Sequence, residues 1–215
     1  MPVEETVVRS VVHPRIEVDG VISPQKMMAP GKTKSQGGEP VLALSVGARS
    51  LLPTDDDAHG FGCKVAEKAR AASQRKFAKK QRDYQRPRDT AHYIGSLDID
   101  VASVEALESI FFSFGVVDLH QKGFEAHWHL EWRPKDDALE RIDDDDVATA
   151  RTDLIDQMFR LLYRPRIKFC DCDADLLEFL TPIGDSVLSF FPEECRSRGE
   201  PAAQPSDLHR GRLKP

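Results

Sequence analysis

The sequence predicts an α+β fold, a ferredoxin-like split βαβ core with an antiparallel sheet. Three observations carry this. Residues 124–133 alternate strictly: Phe124, Ala126, Trp128, Leu130 and Trp132 fall on one side, Glu125, His127, His129, Glu131 and Arg133 on the other. A period of two is a strand with one buried and one polar face. Two stripes of helical spacing flank it, one of Val104, Leu107, Ile110, Phe111 and Phe114, the other of Val147, Ala150, Leu154, Met158 and Leu161. The order over 92–172 is then strand, helix, strand, strand, helix, strand, or βαββαβ.

Residues 1–60 hold many of the prolines and glycines and read as an irregular, partly disordered arm. Within it, Asp19-Gly20 between short apolar runs signals a hairpin. Residues 6–12 and 41–46 read as isolated strands, and 23–40 as a loop. Residues 61–88 form a basic helix, rich in Ala, Lys, Arg and Gln and closed by Pro87. The core domain spans 89–192. Its first strand covers 92–101, with Tyr93, Leu97, Ile99 and Val101 on one side. Ser103 is the expected N-cap of the next helix, and Gly115 its C-terminal stop. A short strand at 116–120 turns through Gln121-Lys122-Gly123 into the 124–133 strand. Asp146 caps the second helix and Pro165 closes it. A strand at 166–172 and a helix from Asp173 follow, the latter interrupted by Pro182. Residues 193–215 read as a disordered basic tail. In this arrangement the 92–101 and 124–133 strands are central, and both helices cover the Trp128 face.

Composition narrows the class. The chain has 215 residues, 40% hydrophobic and 31% charged, with a net charge of −6. Its apolar residues concentrate over 91–191, about 100 residues, which is enough for one self-sufficient core. The negative balance argues against a dedicated duplex-DNA binder. The charge is segregated, however. Residues 64–88 carry ten basic side chains against Glu67 and Asp83, and 136–156 carry nine acids against Arg141 and Arg151. Such blocks read as interaction surfaces or solvated faces. The four cysteines show no disulfide-framework spacing. The first ten residues have no apolar signal segment, and no apolar run approaches a membrane span. The expectation is a reducing, cytoplasmic setting with no membrane partner.

The polar face of the sheet holds the chemistry. With the helices on the Trp128 face, the other face collects His127 and His129, Asp98 and Asp100, Asp118 and His120, and Cys170 and Cys172. Directly opposed side chains have Cβ atoms roughly 4.5–5.5 Å apart. Two imidazoles with Asp98 and Asp100 would then suit a divalent metal such as zinc, manganese or iron. The same residues also suit a plain solvated face. Cys170-Asp171-Cys172 is too sparse for a structural zinc site. Pro30-Gly31-Lys32-Thr33 lacks the earlier glycine of a phosphate loop. The acids of 143–146 precede a helix, where they favour its dipole.

His127-Trp128-His129 resembles the His-hydrophobic-His motif of the HUH single-strand endonucleases, which carry it on a central strand of a ferredoxin-like sheet. That resemblance implies His127 and His129 as ligands of a divalent metal. It also implies a helix-borne tyrosine that attacks a DNA phosphate, Tyr163 or Tyr84 here.

The basic segment gives the other expectation. Lys68, Arg75, Lys76, Lys79, Lys80 and Arg82, interleaved with Phe77 and Tyr84, can track a phosphate backbone or an acidic protein surface. The function expected first is therefore that of an accessory or regulatory binding protein. It would hold a macromolecular partner, protein or single-stranded nucleic acid, through the basic helix and the arm. A metal-dependent HUH-type endonuclease is the alternative.

Overall fold

The computed structural model describes residues 5–79, 91–107, 109, 111–135, 149, 152–158, 164–169 and 174–191. Its strands are β1 (Thr6–His13), β2 (Glu17–Val18), β3 (Val21–Ile22), β4 (Gly31–Lys34), β5 (Pro40–Ala48), β6 (His92–Asp100), β7 (Phe112–Asp118), β8 (His127–Pro134) and β9 (Arg164–Ile167). The helices are α1 (Pro24–Met28), α2 (Asp55–Lys79), α3 (Val101–Glu105), α4 (residues 152–158) and α5 (Ala174–Ser189). The fold is mixed α+β around an open antiparallel sheet, ordered β7–β8–β5–β1–β6–β9, with β4 added to β5.

This order departs from the expected four-stranded core. The strands read as a central pair, β6 and β8, are separated by β1 and β5. The cause lies in the segment read as an arm. Thr6–His13 and Pro40–Ala48 are rich in Val, Leu and Ala, and nearly every residue of both is buried. Strands apolar on both faces take the middle of a sheet with cover on each side. Pro24, Gly31 and Pro40 open their elements, and Pro14, Gly20, Pro30, Gly37, Gly38 and Pro53 sit in the connections. One is the β2–β3 hairpin, whose turn uses Asp19 at φ 52° and Gly20 at φ 79°. The 23–40 segment holds α1 and β4 rather than a loop.

The first core helix is also shorter than its stripe. Asp100, not Ser103, caps α3, its Oδ2 accepting from the Ser103 amide at 2.9 Å. After Glu105 the helix stops. The Ser109 hydroxyl accepts from the amides of Phe111 and Phe112 at 3.3 and 3.2 Å, and β7 begins. Phe114, which fits the helical stripe, also fits a period of two with Phe112 and Val116, and the pairing with β8 decides between them. Strand β9 starts at Arg164, and α5 runs through Pro182 unbroken. A proline inside a helix costs about 3 kcal/mol. Complete burial of Leu180 and Val187 on either side offsets it.

Both sheet faces are covered. Leu42, Leu44, Val46, Leu97, Ile99, Leu130 and Trp132 share one cluster with Val104, Leu154, Met158 and Val187 from the helices. Leu107, Phe111 and Trp128 pack against it, half-buried. The opposite face carries α2, which lays Ala58, Phe61, Ala66 and Ala69 over Val8, Val12 and Tyr93. Contact is close enough that the Tyr93 ring occupies the place a Cβ on Gly62 would take.

β5 changes partner along one edge. It pairs with β4 over residues 40–43 and with β1 over 47–48. In the gap between them the Arg9 guanidinium donates to the Ser45 carbonyl at 2.9 Å and to the Met27 carbonyl at 3.1 Å. Burial, with Arg15 nearby, brings Arg9 down to about 10. Cys63 is disulfide-bonded, contrary to the expectation from spacing, which does not report which cysteines meet in space. Among the described residues no helix is long and apolar enough to cross a membrane.

Candidate functional site

The alternation of β8 sets His127, His129, Glu131 and Arg133 on the α2 side of the sheet. β5 supplies their neighbours, because Ser45 pairs with His129 and Gly47 with His127. Ser45 Oγ lies 2.8 Å from His127 Nε2. The two imidazole rings stand edge to face with centroids 5.0 Å apart, and Phe124 meets His127 at 5.8 Å. His129 Nδ1 lies 3.7 Å from Glu131 Oε1, and Arg133 donates to Glu131 Oε2 at 3.1 Å. Glu131 is 1% exposed, so its carboxylate is met by the Arg133 guanidinium and the neighbouring imidazole rather than by water.

Burial pushes His127 down to about 4, helped by His129 and then Lys68. Burial also lowers His129, against the pull of Glu131 in the other direction. Both imidazoles are neutral at pH 7, the form that ligates metals or accepts protons. His127 Nδ1 is buried without a hydrogen-bond partner among the described residues.

The aspartates expected beside these histidines are elsewhere. Asp98 and Asp100 belong to β6, three inter-strand steps from β8, or about 14 Å. The intruding strands β5 and β1 make that gap. Asp98 instead accepts from Arg49 at 3.5 Å and pairs with Arg166 at 3.3 Å. Asp55 at the start of α2 joins both arginines. Burial opposes its ionisation, but the hydrogen bonds from Arg49 and Arg166 win and lower its pKa. These four groups, with Thr6, Pro53 and Asp100, line a charged cleft of about 580 Å³. Asp100 is occupied in capping α3. Asp118 and His120 pair with each other, exposed, at the end of β7. Among the described residues no cluster of three metal-ligating side chains forms. His127 and His129 therefore lack a third protein ligand there, and the four-ligand expectation does not fit.

The basic helix does present its charge. Lys64, Lys68 and Arg75 are exposed on α2. Lys68 Nζ stands 3.5 Å over the Phe124 ring and donates to Gln121 Oε1 at 3.2 Å. Arg70 is spent internally, donating to the Ala91 carbonyl at 3.3 Å. Lys76 and Lys79 lie on the last turns of α2, whereas Lys80, Arg82 and Tyr84 fall outside the described residues, as do Tyr163, Cys170 and Cys172. Tyr93, the described tyrosine, is buried beneath α2 on β6, where burial pushes it up to about 12.

Sequence reasoning missed Ser45, Arg9 and the Arg49–Asp55–Asp98–Arg166 ring. Arg9 had a signal, a lone cation inside an apolar strand. Ser45 and the ring had none, since their partners are set by strand order. Comparison with known protein families, curated proteins and solved structures finds no match for this chain.

Proposed function

We propose that this chain is an accessory or regulatory binding protein that holds a polyanionic macromolecular partner on the outer face of α2. One observation carries the reading. The helix spends its small and apolar residues on the sheet and leaves Lys64, Lys68 and Arg75 outward with no ion pair to any described carboxylate. Exposed cations along one helix suit an acidic protein surface or a single-stranded nucleic acid. The N-terminal segment lies in the sheet and supports the helix from beneath, so this reading places the contact on α2.

The test is fluorescence anisotropy with a labelled single-stranded oligonucleotide and, separately, with polyglutamate, over a range of salt. Log affinity should fall linearly with log salt. Replacing Lys64, Lys68 and Arg75 together by Gln should shrink the oligonucleotide slope by roughly 2, at about 0.7 per phosphate contact. Binding indifferent to salt, or a slope the triple variant leaves unchanged, would overturn the reading.

The HUH-type endonuclease is a second reading, supported by the two neutral imidazoles side by side on β8. It needs a further metal donor and a tyrosine, and the described residues place neither beside them. The same assay separates the two. A nuclease would need divalent metal and leave a denaturant-resistant protein–DNA adduct, whereas chelator leaves the binding protein unaffected.

A further inference from the structure

The surface beside α2 changes chemistry between the helix and β8. Lys64 and Lys68 are exposed on the helix. Lys68 Nζ stands 3.5 Å over the Phe124 ring, and its charge helps to keep His127 unprotonated. From Phe124 the rings continue onto β8, with centroids 5.8 Å apart from Phe124 to His127 and 5.0 Å from His127 to His129. Phe124 is buried, whereas His127 and His129 are half-buried. His127 Nε2 meets Ser45 Oγ and its Nδ1 is buried, so what this ring leaves open is largely carbon. Val117, opposite His129 on β7, adds a half-buried apolar side chain to the same face. The carboxylates of this stretch are turned away. Glu131 is buried, and Glu125 Oε1 accepts from the Gly123 amide at 2.7 Å. Burial lowers both imidazoles, so the rings offer an anion no charge at pH 7. A cationic track on the helix thus borders a patch of neutral rings on the strand.

We propose that the partner held by α2 is a single-stranded nucleic acid, with its phosphates on Lys64 and Lys68 and its bases against the His127 and His129 rings. This rests on the reading of α2 as the partner-binding face, and adds the partner's class and a second wall to the site. A single strand carries charge along one side and flat, uncharged bases along the other. Proteins that bind it combine a cationic track with rings on which the bases stack. Histidine is among the side chains that serve as such a ring. The two chemistries lie side by side here in that arrangement. A duplex keeps its bases stacked inside and has no use for the rings. An acidic protein surface would be met by cations throughout, and the imidazole patch would give it nothing.

The experiment is fluorescence anisotropy on the full chain at fixed salt, with chelator present so that no metal-held complex contributes. The probes are oligothymidylate, an abasic strand of the same length, and polyglutamate. Oligothymidylate should bind about tenfold or more tighter than the abasic strand, and His127→Ala with His129→Ala should erase that preference. Should the double variant fail to fold, the wild type gives a second readout. The ring-proton NMR signals of His127 and His129 should move upfield when oligothymidylate binds and hold their positions with the abasic strand. Equal affinity for the two strands, with salt dependence intact, overturns this inference and leaves α2 as a polyanion-binding face. So do histidine signals that oligothymidylate leaves in place. Polyglutamate bound more tightly than oligothymidylate overturns it in favour of an acidic protein. If no probe binds, the reading of α2 falls with it.

Discussion

His127 is held between a serine hydroxyl, an aromatic edge and a second imidazole, a setting that accommodates a neutral ring and resists a charged one. Its pKa near 4 in the folded chain, against 6.5 for the free group, couples it to stability. Between those values the unfolded chain binds a proton that the folded chain refuses, so stability falls as pH drops through this window and rises as pH climbs. His129 is lowered too and acts in the same sense. Urea titrations at pH 7.5 and pH 5 should show that loss, and His127→Gln should make it shallower. Equal pH dependence in the two proteins would mean that the ring is not pressed as described. The face on which these histidines stand was legible from alternation alone. Their neighbours were not, because a strand's register with a distant strand is not written in either segment. Ser45 meets His127 only because β5 lies beside β8.

The helix α2 shows why its start was misplaced. Gly60 and Gly62 weaken a helix by about 1 kcal/mol each relative to alanine, so sequence propensity puts the boundary beside them, at 61. The structure begins it at Asp55, behind a reciprocal cap in which Asp57 Oδ2 accepts from the Thr54 amide and Thr54 Oγ1 from the Asp57 amide, each at 3.1 Å. Three aspartates in the first turn add favourable charge. The glycines then separate by what faces them. Around Gly60 a Cβ would meet nothing within 4 Å, whereas at Gly62 it would enter the Tyr93 ring. Gly60→Ala should therefore stabilise by up to about 1 kcal/mol. Gly62→Ala has the same propensity gain, but overpacking costs about 1–3 kcal/mol and should leave it destabilised. Chemical denaturation of the two variants checks this. The same sign for both would mean that α2 does not sit this close to β6.

At the scale of the whole molecule, the sequence reported the class and the local periods but not the strand order. Residues 92–100 and 127–134 were legible as strands because each repeats every two residues over a long stretch. Their separation was not, because it depends on β1 and β5, whose two-sided apolar character makes them central whatever their place in the chain. The insertion leaves a seam, since β5 cannot pair with β4 and β1 at one residue, and the Ser45 carbonyl falls in the gap. Arg9 closes that seam with two charge-assisted hydrogen bonds, to β5 through Ser45 and to α1 through Met27. Arg9→Met keeps the volume and the apolar stem but leaves both carbonyls without this donor. The loss should be about 2–3 kcal/mol, offset in part because no cation need then be desolvated. Arg9→Lys keeps the charge on a single nitrogen that cannot reproduce the two-pronged geometry, so it should fall between methionine and wild type. Hydrogen exchange should localise the damage, with amides of β1 and β5 losing protection before those of β7 and β8. Uniform loss across the sheet, or a methionine variant as stable as wild type, would mean that the two halves are joined by packing alone and that Arg9 is not the tie between them.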